Sequence, residues 1–488
     1  MSAAVALVVA AALAGCGSTT YFAGRTLPPS GIANRVLIAI QNPSSLSKGA
    51  LEIVDAYYDT RYAYNNMNKT FTVSGYSGAL PLSIQNMPEE QVGVVYGAGD
   101  GTYMLINYNK ETSTGAAASL NGLSSSVFMT RNESYVFAAS QASSVLTVVD
   151  KTTTNGGTYP LSLPGVYRVS VNPGGSVALA FVKGSNYIYY PRKLTSAQTI
   201  NYATGPSSWP KAAVDCEPRT SPGWCLFQAQ SPDSVDSTGN YYGAPLVFDN
   251  PAKAVFSSDG STAYVLNCGP ECGGATASVT SLSVAPMIYL IGQQSGSLPK
   301  QSVINSNTLA TPGGASNALV DGSTLYVAGL EWVAADSLWA GELTTITLPT
   351  GSTTSMAIAN QVHISDGLPS GDGGGVVSRM ILADDNTLWV GMMRCNQGEW
   401  WAHNNPYGCL TMFNTSTNAV TFMPYNGDAT GIAAVTSLHK IYTAEGGQVY
   451  IYSTVSGTAI SNQYVSVTGT AYDVAYMDAI TDTNNTVY

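Results

Sequence analysis

Charge is scarce in this chain of 488 residues: only 10% are Asp, Glu, Lys or Arg, against about 25% in an average soluble domain. Solvent-exposed helices draw their propensity and i,i+4 pairing from those residues, so a helical bundle or coiled coil is excluded. Basic residues are scarcer still, 19 Lys+Arg against 30 Asp+Glu, for a net charge of −11. Phosphate neutralisation needs clustered Lys and Arg, so no nucleic-acid partner is expected. Histidine occurs three times, at His363, His403 and His439, which argues against a His-rich catalytic zinc site. The G-x-S-x-G nucleophile elbow is missing, as are C-x-x-C and C-x-x-C-H. What is abundant is Gly (49), Tyr (30) and apolar residues (45%), the composition of a large β-rich protein with a sizeable core.

The longest apolar run, residues 3–14, is too short to span a bilayer as a helix and reads as the apolar centre of a secretion signal. It ends in Leu13-Ala14-Gly15-Cys16. That ending resembles the bacterial lipoprotein signal, in which cleavage precedes a cysteine whose thiol is acylated; an ordinary cleaved signal is the alternative. The resemblance implies a signal peptide at 1–15, lipidation of Cys16, and a tether at 16–32 holding the following domain near a membrane surface. It departs from that pattern in having no Lys or Arg before Arg25. An exported protein at the outer membrane or cell surface is expected, with the periplasm as the alternative address.

Six further cysteines remain, an even set that suits disulfides in an oxidising compartment. The simplest of their connectivities is local: Cys216 with Cys225, Cys268 with Cys272, and Cys395 with Cys409.

A repeat runs through the rest of the chain. The segments SSDGSTAYVLN (257–267), VDGSTLYVAG (320–329) and ADDNTLWVGM (383–392) place Tyr264, Tyr326 and Trp389 at spacings of 62 and 63 residues. Asp-Gly and Asp-Asn supply residues tolerant of positive φ, as a tight hairpin needs. Each segment is followed by a second alternating strand, at 277–284, 341–351 and 408–417, whose period of two predicts one face in a core and one outside. Weaker copies at 35–58, 91–109, 134–153, 176–195 and 440–457 bring the number of hairpins to eight. Neighbouring segments such as KAVFSSDG, SRMILADD and SVFMTRN add further strands. Four-stranded units repeated at this period predict an all-β fold, a β-propeller with eight blades, or seven if one copy is an insertion.

The hairpin at 134–153, with Tyr135-Val136, Val145, Val148, Val149-Asp150 and Thr152, resembles the YVTN-type propeller repeat of bacterial surface and periplasmic proteins. The resemblance covers 33–488 as a single propeller domain with an excursion at 196–252. Several segments also look like an uncharacterised group of exported bacterial propellers, a likeness that implies no activity. The segment AYDVAYMDA (471–479) reads as an inner strand completing the sheet begun by residues 35–58.

Function on such a scaffold sits in loops at one end of the ring or in the channel. Trp400, Trp401, His403 and Tyr407, bracketed by Cys395 and Cys409, form the first candidate binding surface, suited to a sugar face or a protein. Trp332 and Trp339 occupy the equivalent position one blade earlier, and Trp224 in the excursion is a third candidate for the same aromatic rim. A catalytic site can be drawn from His363 as base, Asp366 as its orienter and Arg379. The run Gly371–Gly375 lacks the Lys and following helix of a phosphate loop, and Asp366 and Asp372 lack the EF-hand order. No cofactor and no metal are expected. The leading expectation is a lipid-anchored, non-catalytic binding or assembly module on the bacterial envelope, with an envelope protein or glycan as partner. The alternatives are a periplasmic lactonase-like hydrolase or lyase, or a self-assembling envelope component.

Overall fold

A computed structural model describes residues 27–480, apart from 64–65, 153–156, 195–208, 218–222, 236–240, 288–297, 336, 351–354, 366–367, 370–375, 396–407, 425 and 461–463. Eight antiparallel sheets form an eight-bladed β-propeller, with a separate two-stranded ribbon of Ser234–Val235 and Tyr241–Tyr242. The inner strands, from blade one to blade eight, are Thr470–Tyr476, Pro81–Met87, Ser126–Met129, Val166–Val171, Pro251–Phe256, Asn317–Asp321, Val376–Ala383 and Ala429–Val435. Each of the eight hairpins legible in the sequence supplies the second and third strands of one blade. The fourth edge of blade eight is reduced to single bridges, Val449 to Val465 and Tyr452 to Ala459.

Turn chemistry sets the registers. Asp385 and Asn386 both take positive φ (61° and 54°) in the three-residue turn that joins Ala383 to its partner Thr387. In the equivalent turn of blade six Gly322 supplies a φ of 54°.

Apolar side chains gather between blades. Val36, Ile38 and Val474 of blade one meet Ala433, Val435 and Tyr442 of blade eight, for example. Equivalent clusters fill the other interfaces around the ring. This corrects the expectation of one buried and one outward face. A propeller blade is covered by a neighbour on each side, so strands such as Arg35–Gln41 and Tyr135–Ser140 are buried along their whole length.

The ring closes as the sequence suggested. Thr470–Tyr476 pairs antiparallel with Arg35–Gln41, Val36 opposite Tyr476. A buried clasp reinforces it: Arg35, 1% exposed, donates from Nη2 to Asp478 Oδ1 (2.6 Å), from Nε to Oδ2 (3.0 Å) and from Nη1 to Glu111 Oε1 (3.1 Å). The bidentate guanidinium thus joins the first strand, the C-terminal segment and blade two.

All three local disulfides are formed. The excursion at 196–252 is partly blade: Trp224–Gln228 pairs with Ile188–Lys193 as the fourth strand of blade four, and Ala213–Glu217 lies outside it as a fifth. Cys216 and Cys225 stand opposite each other in that outer pair. Cys16 lies outside the described residues, and no described helix is long and apolar enough to cross a membrane.

Candidate functional site

Topology puts the turn between the second and third strands of every blade at the end of the ring where the inner strands begin. In five blades this turn is brief. Blades five, six and seven elaborate it with the Cys268–Cys272 turn, the extended hairpin carrying Trp332 and Trp339, and the loop closed by Cys395–Cys409. Glu271 ties the first two together, its Oε2 accepting from Leu330 N at 2.9 Å.

The aromatic candidates separate. Trp332 and Trp339 are cross-strand partners with ring centroids 5.6 Å apart, and Trp332 is 39% exposed. Trp224 is fully buried, so its expected place on a rim is corrected. It packs edge-on against Tyr135 and donates from Nε1 to Asp150 Oδ2 at 3.2 Å, filling the interface of blades three and four. As the fourth strand of blade four its inward side chain has a neighbouring blade to meet. Trp400, Trp401, His403 and Tyr407 lie outside the described residues, as does Asp366.

His363 and Arg379 are not brought together. His363 ends the outermost strand of blade six, its Nδ1 2.8 Å from Glu342 Oε2. Arg379 lies on the inner strand of blade seven and reaches Asp473 of blade one across the inner strand of blade eight, Nη2 to Oδ2 at 2.6 Å. The same Oδ2 accepts from Ile84 N of blade two at 2.8 Å. Gly431 makes the crossing possible, because a Cβ there would stand 2.5 Å from Asp473 Oδ1 and 2.7 Å from its Cα. Gly431→Ala should therefore displace this pair and destabilise the fold by roughly 1–3 kcal/mol, read from denaturant unfolding.

Much of the remaining channel wall is stitched by neutral contacts. Gln85 bonds Met129 N and O at 2.7 Å each, and Ser170 Oγ accepts from Ala254 N. Two cations stand out. Lys253, 2% exposed, donates to the neutral amide oxygen Asn317 Oδ1 at 2.7 Å, and Arg168 donates to Ser316 O at 3.2 Å. Neither forms an ion pair with a described residue. Burial first, then the charges of Arg168 and Arg379, push the Lys253 ammonium well below its usual value. Lys253, Gln85, Phe128 and Ser170 line a cavity of about 510 Å³ that continues to Glu89, Arg131 and Asp321. These channel residues carry no short motif. Their only sequence signal is a charged residue inside an inner-strand segment, as in KAVF and SRMIL.

Burial pushes the carboxyls of Glu271, Glu342 and Glu445 up to about 7. A hydrogen bond to Asp385 and the charges of Asp384 and Asp385 raise His439. All four groups hold protons more tightly folded than unfolded, so their stabilisation is complete in acid. The carboxyls lose it as pH rises from about 4.3 to 7, His439 as pH rises above about 6.5. Lys253 acts in the opposite direction, so the effect is read as a difference: between pH 5 and pH 8 Glu445→Gln should lose less stability in urea than the wild type does.

No protein-family model matches the sequence, and no curated protein matches it. Solved structures do resemble it. A protein from Lactobacillus plantarum is 10% identical over 91% of this chain and 99% of its own, with a TM-score of 0.46. The periplasmic gluconolactonase PpgL of Pseudomonas aeruginosa is 12% identical over 91% and 98%, TM-score 0.44. The propeller domain of Cps50 (Swd1) from Myceliophteria thermophila is 10% identical over 78% and 98%, TM-score 0.43. Likenesses at this level carry no function over to this chain.

Proposed function

We propose that this is an exported propeller that binds a small anionic molecule in its central channel. One observation carries the reading: in a chain of net charge −11, Lys253 is buried in the channel wall beside a cavity, with a neutral amide as its described partner. An unpaired buried cation destabilises a fold, so its presence beside Arg168 and Arg379 supports a site waiting for negative charge. A buried ammonium among largely apolar walls suits a carboxylate or phosphate on a small molecule. Export is supported by the three disulfides, and a tether through Cys16 belongs to the same proposal. The exposed Trp332 beside Trp339 supports an envelope glycan or protein as a further partner.

A second reading, a hydrolase or lyase of the lactone class, is favoured by the depressed Lys253. A neutral amine can take a proton from water as that water attacks a lactone carbonyl and return it to the ring oxygen as the C–O bond breaks, with the positive charges of Arg168 and Arg379, felt at Lys253, favouring the oxyanion between the two steps. Calorimetry with inorganic phosphate and sugar acids tests the binding reading, and a panel of sugar lactones tests the hydrolytic one. Lys253→Met should abolish both signals. A variant that hydrolyses lactones at the wild-type rate would remove the second reading.

A further inference from the structure

Glu331, Glu342 and His363 lie on three successive strands of blade six: Thr324–Val333, Leu338–Thr347 and Ala357–His363. Glu342 is opposite His363 on one side and Gly329 on the other, two residues from Glu331, so all three side chains share one face. One ligand atom from each lies within 4.8 Å of the others. The Glu342 side chain is 1% exposed, and neither of its oxygens accepts a well-aligned hydrogen bond, although His363 Nδ1 stands 2.8 Å from Oε2 and the Gln361 amide is close by. Its stem is pressed against Gly313, where a Cβ would come within 2.5 Å of Glu342 Cβ and Cγ, so the carboxylate has little room to swing away. A buried carboxylate so weakly satisfied is costly unless a cation completes its set of partners. His363 is 61% exposed, which leaves one side of the trio open to solvent.

We propose that Glu331, Glu342 and His363 form a binding site for a divalent transition-metal ion, zinc being the best match. An imidazole with two carboxylates is a borderline-soft donor set, whereas calcium takes about six to eight oxygens and magnesium keeps most of its waters. Tetrahedral bonds of about 2.0–2.2 Å put ligand atoms roughly 3.4 Å apart, between the 2.8 Å that separates His363 from Glu342 and the 4.8 Å within which the trio lies. Three protein ligands leave a fourth position for exchangeable water. The ion would also pin the outermost strand of blade six to its middle hairpin. This site is separate from the channel and does not depend on the reading given to it.

The test uses the full, untagged chain stripped with chelator. Calorimetric titration with Zn²⁺ should show a site that His363→Ala and Glu342→Gln each weaken about 100-fold or more, and Co²⁺ should give visible absorption at the same stoichiometry. His363 is exposed, so its alanine variant retains the fold, which circular dichroism verifies. Asp384, Asp385 and His439 form another cluster of suitable side chains, more exposed than Glu342. His439→Ala should therefore leave the Zn²⁺ affinity unchanged. Absence of Zn²⁺ binding in the wild type, or wild-type affinity in either blade-six variant, would overturn the proposal.

Discussion

Replacing Asp478 by alanine should destabilise the protein by about 3–5 kcal/mol, measured from denaturant unfolding. The change strands the Arg35 guanidinium, 1% exposed, with Glu111 as its remaining carboxylate. Asp478 Oδ2 also accepts from Arg35 N at 2.8 Å, so a backbone donor is orphaned with it. The loss falls where the C-terminal strand seals the ring, so the blade-one sheet should open first, and amide exchange in Thr470–Tyr476 should accelerate more than in blades four to six. By contrast, a surface pair such as Arg131–Glu89, 38% and 42% exposed, should yield under 1 kcal/mol when broken. A loss of that size from Asp478→Ala would mean that the clasp does not hold the ring.

Lys253→Met should do the reverse for stability. It removes a buried cation whose folded pKa is depressed, so the fold no longer resists protonation there; Asn317 Oδ1 still accepts from Ala318 N. The sign follows from linkage. The unfolded chain binds the lysine proton more tightly than the folded one, so wild-type stability falls as pH drops from about 10.4 toward the folded value, and the methionine variant lacks that slope. A gain of roughly 1–4 kcal/mol at neutral pH is expected, together with loss of anion binding. Stability gained while function is lost marks a residue kept for its chemistry.

Much of the fold was legible because the middle hairpins are rich in β-branched and aromatic residues and, as in blades six and seven, a tight turn leads into them. Strands such as Thr387–Met393 and Gln448–Ser453 are enclosed between blades, so their composition is distinctive. Outer strands are short or weakly apolar, as in Thr112–Ser119 and Val420–Phe422, and carried little signal. The closing strand was legible for the same reason as the hairpins. Trp224 misled because an aromatic residue between two cysteines says nothing about which way its strand faces.

The site was far less legible. Arg379 was singled out beside His363 through proximity in sequence, yet the ring sends one inward to Asp473 and leaves the other on an outer edge. Lys253, Arg168 and Asp473 come from blades five, four and one, and nothing in their local sequence marks them as neighbours across a channel. Glu342 gains its meaning only from a register that sets it between Glu331 and His363.

Channel binding is tested most directly by calorimetric titration of the wild type and Lys253→Met with inorganic phosphate and a panel of sugar acids at low ionic strength. Saturable one-site binding of at least one anion by the wild type, weakened about 100-fold or more in the variant, is the predicted result. The same affinity in both proteins, or no binding by the wild type to any of these anions, would contradict it.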